Sequence, residues 1–235
     1  MTGELRLICA DLEAPPLFSR ATVNGTRVGY EPAAAELVGS RLGRTVHWVH
    51  TVWRDMVPAL WDGRGDAIWC GQGITPARAE LVDFTRSYAI FDESALVVAD
   101  SGIGSVGDLA GMRVAAVAET TNLALSETFP DVGIVSFDGS SADVLGDMVR
   151  ALRRGVVDAV VLDHGVAVPL SEQPNLAIAF TIATRSSWGV SVPKGHRELL
   201  ADLDSALGEV IGDGSLERIW KQWMPTLPFP LTHDE

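Results

Sequence analysis

The sequence predicts an α/β fold in two lobes, each a mostly parallel sheet flanked by helices, joined by a two-stranded hinge. Three observations point there. Short apolar runs alternate with longer amphipathic segments from residue 5 to residue 75, and the same rhythm resumes after residue 100. Two apolar, β-rich stretches without helical period, 88–100 and 178–192, separate the two sets. The chain then turns helical again after residue 196, so it crosses out and back. The expected lobes are 1–92 with 187–235, and 93–186, with the hinge near 90–97 and 182–188.

The first lobe opens with Leu5-Arg6-Leu7-Ile8-Cys9-Ala10 as a strand, then a helix over 30–42, a strand over 45–50, a helix over 53–61 and a strand over 66–70. In the second lobe, strands are expected at 113–117, 133–137 and 158–162, with helices at 121–129 and 141–154. A helical stretch over 196–223 returns to the first lobe, and the Pro-rich tail 225–235 is expected to be extended.

Composition narrows the function classes. The chain has 235 residues, 47% hydrophobic and 21% charged, the balance of a globular protein. Its formal net charge of -13 leaves no basic stripe for nucleic acid or an anionic membrane. No apolar run reaches the roughly 20 residues that span a bilayer. Met1-Thr2-Gly3-Glu4-Leu5-Arg6 shows no secretory signal, so a mature chain is expected in the periplasm or outside the cell, and a native full-length chain in the cytoplasm. Cys9 and Cys70 each sit in an apolar run and read as small core residues; a disulfide between them requires neighbouring strands.

In open parallel sheets, ligands bind at the carboxyl ends of the strands. The unusual residues collect there. After the first strand come Glu13, Ala14 and Phe18; after the second, Trp53; after the third, Gly71-Gln72-Gly73-Ile74-Thr75-Pro76-Ala77-Arg78. Thr75 is a good N-cap and Pro76 a good first helical residue. Arg78 then falls in the first turn, where the macrodipole disfavours a cation, a placement that makes sense for clamping a carboxylate. Its alternative is an ordinary pairing with Glu80 or Asp83. In the second lobe, Glu119, Thr120, Thr121 and Asn122 open a helix, offering donors to an anion or merely capping. Asp163 ends a buried run and either receives an ammonium group or caps the helix that follows. Trp53 suits either stacking on a ligand or the core. The histidines, His47, His50, His164, His196 and His233, show no ligand pair at helical spacing, so neither a metal nor any other cofactor is expected. No Gly-x-Ser-x-Gly nucleophile turn occurs.

Several segments in order then resemble the bacterial extracellular solute-binding family of polar amino-acid ABC transporters, the type II periplasmic-binding-protein (venus-flytrap) fold. They are Gly29-Tyr30-Glu31-Pro32, Gly65-Asp66-Ala67-Ile68, Gly73 to Arg78 with Val82-Asp83-Phe84-Thr85, Asp108-Leu109-Ala110-Gly111, Asp158-Ala159-Val160-Val161, Trp188 to Gly195, and Gly212-Asp213-Gly214-Ser215. The resemblance implies that Arg78 takes a ligand α-carboxylate with Gly71, Gly73 and Thr121, that Asp163 takes the α-amino group, and that Trp53 and Ala14 flank the ligand side chain. Ala14 is small where an aromatic ring is frequent, Gly73 lacks a hydroxyl, and Glu119 replaces a frequent glycine.

The expected function is capture of a small amino-acid-like zwitterion or carboxylate between the lobes for uptake, without catalysis. The expected partners are the small-molecule ligand and an ABC-transporter permease, with no nucleic acid, and the chain is expected to be a monomer. Two alternatives stand beside it: a cyclohexadienyl-dehydratase-like enzyme with Glu119 or Glu13 as general acid, and a ligand-sensing domain of a receptor.

Overall fold

The computed structural model describes residues 3–141 and 143–231. The chain runs through β1 (Gly3–Ala10), α1 (Tyr30–Arg41), β2 (Arg44–Thr51), a 3-10 turn (Trp53–Asp55), α2 (Met56–Trp61), β3 (Ala67–Ile68), α3 (Pro76–Leu81) and β4 (Val82–Val98). After a second 3-10 turn (Val106–Leu109) come β5 (Arg113–Val117), α4 (Thr121–Ser126), β6 (Gly133–Phe137), α5 (Val144–Arg153), β7 (Ala159–Asp163) and α6 (His164–Ser171). The long strand β8 (Leu176–Pro193) leads to α7 (Arg197–Gly212) and α8 (Ser215–Trp223). Hydrogen bonding orders the strands β2-β1-β3-β8-β4-β7-β5-β6, a mixed sheet, so the α/β class holds.

The chain divides into two compact units. The first comprises 1–11, 16–90 and 187–235; the second comprises 12–15 and 91–186. In the first, β1 runs parallel to β2 and to β3, while Ile68 of β3 pairs antiparallel with Ser191 of β8. Its core includes Leu5, Leu7, Val38, Trp69 and Leu207. The Tyr30 ring meets Trp220 edge-on at 5.2 Å, which docks α1 onto α8. Arg27 is 4% exposed, and its guanidinium lies 5.0 Å from the Phe18 ring and 5.1 Å from Trp48. It donates to the carbonyls of Ala10 and Ser19, tying the segment before α1 to the end of β1.

In the second unit β5 lies parallel to β6 and β7, and β4 runs antiparallel to β7. Val97, Leu109, Val114, Phe129, Ala159 and Val161 form its core.

Several expected boundaries shift for local reasons. The 53–61 helix begins as a 3-10 turn, and Pro58 then falls inside the first turn of α2, where its missing N–H costs nothing. The 141–154 helix starts at Val144, because Asp143 Oδ1 accepts from Gly146 N–H at 3.2 Å. The 121–129 helix ends at Ser126, and the turn that follows leads into Pro130. The 66–70 strand forms a ladder only over Ala67–Ile68. The 196–223 stretch is two helices, broken where Gly214 takes φ 72. Residues 225–231 have no regular helix or strand, and the rest of the expected extended tail, with His233, lies outside the described residues. Although β1 and β3 are neighbours, Cys9 and Cys70 are free buried thiols, and burial pushes Cys70 up to about 12. Among the described residues no helix is long and apolar enough to cross a membrane.

Candidate functional site

The first unit's candidate residues are built on the loop after β3. Gly71 takes φ 59, and a Cβ added there would meet the Trp188 ring at 3.1 Å, so conformation and space both require glycine. Its N–H donates to Glu31 Oε1 at 2.7 Å and also approaches the Tyr88 hydroxyl at 3.1 Å. The Tyr88 hydroxyl in turn donates to Glu31 Oε1 at 2.5 Å. Glu31, in the first turn of α1, is 1% exposed, so a buried acid fixes the backbone of this loop. Burial and the neighbouring Glu31 carboxylate raise Tyr88 well above its ordinary value, which keeps its proton in that bond.

Gly73 pairs with Trp188, and its carbonyl accepts from Arg78 Nη1 at 2.9 Å. Thr75 caps α3 by accepting the Arg78 N–H at 3.2 Å, with Pro76 at the first helical position. Asp83, an alternative partner for Arg78, instead holds Lys194 Nζ at 2.9 Å and the Gly195 N–H at 2.7 Å. The Arg78 guanidinium sits 5.6 Å from the centre of the Trp53 ring. Trp53 and Arg78 are therefore neighbours, an arrangement that orients the fork and covers one side of it.

In the second unit, Asp163 occupies the position before α6 yet makes no capping bond with its side chain. Its Oδ2 accepts from Asn122 Nδ2 at 3.3 Å. Burial raises its carboxyl to about 6, and the Asn122 bond acts in the other direction. A carboxylate held this way gains most when a cation arrives. Thr120 caps α4, accepting from the Leu123 N–H at 3.2 Å and donating to the Val117 carbonyl at 2.6 Å, so its hydroxyl is committed to the helix start. Thr121 is the first residue of α4 and half-buried. Glu119 is exposed with φ 62, a left-handed conformation that favours glycine. Glu13 and Ala14 belong to the second unit; Ala14 is buried and Glu13 half-buried. Among the described residues, no group of three His, Cys, Asp or Glu is placed to hold a metal ion.

Two acids were not singled out from the sequence. Glu31 stabilises the Gly71 loop. Glu93 of β4, 1% exposed, lies directly across the ladder from Asp163. Ser186 Oγ donates to its Oε1 at 2.5 Å, and Thr184 Oγ1 donates to its Oε2. The available signal was Asp92-Glu93 inside an otherwise apolar β run.

The mixed α/β sheet thus carries Arg78 at a helix start in one unit and Asp163, beside a helix it does not cap, in the other. The chain belongs to the bacterial extracellular solute-binding proteins, family 3, whose model matches residues 7–226. It is 29% identical over 216 residues to the putative ABC transporter arginine-binding protein 2 of Escherichia coli K12, covering 88% of this chain and 86% of that protein. An ancestral arginine-binding protein solved with arginine superposes with a TM-score of 0.84 at 28% identity, covering 95% of this chain and 99% of the other. An ancestral amino acid-binding protein described as a precursor of cyclohexadienyl dehydratase, AncCDT-1, gives 0.82 at 28% identity, over 94% and 95% of the two chains.

Proposed function

We propose that this protein is the amino-acid-binding component of an ABC transporter, and that Arg78 and Asp163 act on opposite ends of one ligand. The observation that carries this reading is Asp163: a carboxylate at a helix start that leaves the cap unmade and is raised to about 6 awaits a cation rather than stabilising its own helix. The ligand carboxylate goes to the Arg78 fork, which the Gly73 carbonyl orients beside Trp53. The ligand ammonium goes to Asp163. A ligand that engages both groups stabilises whichever arrangement of the two units brings them to it, the differential contact a transporter partner can read. The relatives' amino-acid ligands support this class, with arginine the first candidate.

The reading places the protein outside the cytoplasmic membrane, as the family description has it, delivering its ligand to a permease as a monomer. It assigns no catalysis. The described ancestor of the dehydratases is itself an amino acid-binding protein, which supports binding as this scaffold's own activity.

A thermal-shift titration against the amino acids and prephenate tests the proposal. A ligand at 100 times its Kd stabilises the native state by about 2.7 kcal/mol. An amino acid is expected to raise the Tm, and Arg78→Ala is expected to abolish the rise. A shift by prephenate alone, with turnover, would replace binding by dehydration.

A further inference from the structure

The second unit holds an acidic pair that ligand capture through Asp163 does not by itself require. Glu93 and Asp163 are ladder partners on the antiparallel strands β4 and β7, so their side chains leave the same face of the sheet. Directly opposed residues of this kind have Cβ atoms about 4.5–5.5 Å apart. Glu93 is 1% exposed, and its hydrogen-bond partners among the described residues are neutral hydroxyls. From β8 come the hydroxyls of Thr184 and Ser186, together with the backbone of Arg185, whose N–H donates to Asp92 Oδ1 at 3.0 Å and whose side chain is exposed. From β4 itself comes a further acid, Asp92, which acts against ionisation of Glu93. His164 of α6 is bonded through Nδ1 to Ser94, the residue of β4 that points to the other face. From α4 comes Asn122, and here lies the independent observation. Its amide nitrogen reaches Asp163, whereas its Oδ1 is shut off from solvent and has no hydrogen-bond partner. Asn122 is 8% exposed. A buried acceptor left over beside the Asp163 carboxylate asks for a donor that the described residues do not supply.

Two carboxylates on opposed positions of one sheet face do not both ionise at low cost, because each charge opposes the other. We propose that Glu93 and Asp163 share one proton in the empty protein and release it to solvent when a cationic group of the ligand takes its place, so that Glu93 is a specificity-determining partner of Asp163. The inference deepens the amino-acid-binding reading and rests on Asp163 as the ammonium acceptor. The balance is simple. One N–H-bearing cation enters, one proton passes to water, and both carboxylates end ionised with the cation between them and the Asn122 carbonyl. The hydroxyls of Thr184 and Ser186 donate to Glu93 in both states, so the exchange needs no rearrangement of β8. A ligand lacking a cationic group would leave the pair protonated and gain nothing from it.

The test has two arms. In the first, the side-chain carboxyl carbons of the ligand-free protein are titrated by NMR in the wild type, Glu93→Gln and Asp163→Asn. Coupled steps are expected in the wild type. Glu93→Gln is expected to move the Asp163 midpoint down by about one pH unit, and Asp163→Asn to move Glu93 down likewise. The two variants read the same coupling from opposite sides, so poor folding of one leaves the other to decide. Unmoved midpoints would overturn the shared proton. In the second arm, arginine and glutamine are bound at pH 6.5 in buffers of different ionisation enthalpy. Proton release is expected with the wild type and a smaller release with Glu93→Gln. Binding without release would overturn the exchange. Failure of both amino acids to bind the wild type would instead count against the amino-acid reading, while the titration still decides whether the pair shares a proton.

Discussion

Glu31 and Tyr88 meet in a 2.5 Å hydrogen bond beneath the loop that carries Gly71, and the Gly71 N–H reaches the same carboxylate oxygen at 2.7 Å. The acid belongs to α1 and the tyrosine to β4, so two elements far apart in sequence converge on one peptide group. Replacing Glu31 by alanine strands the buried Tyr88 hydroxyl's proton and leaves the Gly71 N–H only its longer 3.1 Å contact with that hydroxyl. The expected loss is about 3 kcal/mol, because each orphaned buried group costs about 1–3 kcal/mol. Tyr88→Phe, which removes one donor and leaves the Gly71 bond in place, is expected to cost about 1 kcal/mol. Urea unfolding of both variants checks the order; equal losses would mean that Glu31 does not hold the loop through these bonds.

Gly71 itself is open to a sharper test. An alanine there must hold a left-handed φ of 59 and push on the ring of Trp188, which is 3% exposed and has little room to yield. The conformational cost is about 1–2 kcal/mol, and the crowding adds about 1 kcal/mol more. Gly71→Ala is therefore expected to lower stability by about 2–3 kcal/mol and to weaken ligand binding, since Gly73 follows on the same loop and Arg78 in the helix it leads into. Calorimetric binding and denaturant unfolding measure the two effects separately.

The loop was legible from the sequence because its signals are local. A glycine pair followed by Thr75 and Pro76 sets a turn and a helix start within a few residues, and the structure has the Thr75 cap. Asp163 was readable as an acid at a strand end, and only coordinates could show that its side chain leaves the cap unmade. Glu31 and Glu93 were not legible. The partners of Glu31 lie 40 and 57 positions away, and those of Glu93 lie 91 and 93 positions away on β8. No spacing rule reaches that far, so an acid in the first turn of a helix reads as ordinary dipole compensation. The break between α7 and α8 had its signal in Gly212-Asp213-Gly214, but glycines inside a long helical pattern do not by themselves decide between a kink and a stop.

Glu119 carries strain that a glycine would relieve. With φ 62 it holds a conformation costing a non-glycine residue about 1–2 kcal/mol, of which the greater flexibility of glycine in the unfolded chain takes back about 0.5–1 kcal/mol. Glu119→Gly is expected to leave stability unchanged or raise it by up to about 1 kcal/mol. If the acid is kept for the ligand, the same variant weakens binding of a cationic amino acid more than that of a neutral one. Parallel unfolding and binding titrations with arginine and glutamine distinguish a strained binding residue from a neutral surface one.

The raised acids also set the direction in which the empty protein responds to pH. Asp163 and Glu93 hold their protons in the folded state up to about 6 and about 7, against ordinary values of 3.8 and 4.5. Between roughly pH 4 and 7 the folded chain therefore binds more protons at these two positions than the unfolded chain. Their contribution to stability is fully present below pH 4 and is lost as pH rises through 6 and 7. Asp213 works the other way, since its bonds with Ser215 and Arg41 hold it at about 2, and Asp66 and Asp204, lowered by their bonds to Arg6 and Arg86, act in the same sense. Those groups lose their contribution as pH falls below 4. The unfolding midpoint of the ligand-free protein is expected to decline from pH 5 to pH 8 at constant ionic strength. Glu93→Gln removes one of the two raised groups that titrate in that range and is expected to flatten the decline. Saturating ligand should flatten it too, because a bound cation makes the ionised carboxylates the favoured state. A decline that persists unchanged in Glu93→Gln would show that the loss arises elsewhere in the chain.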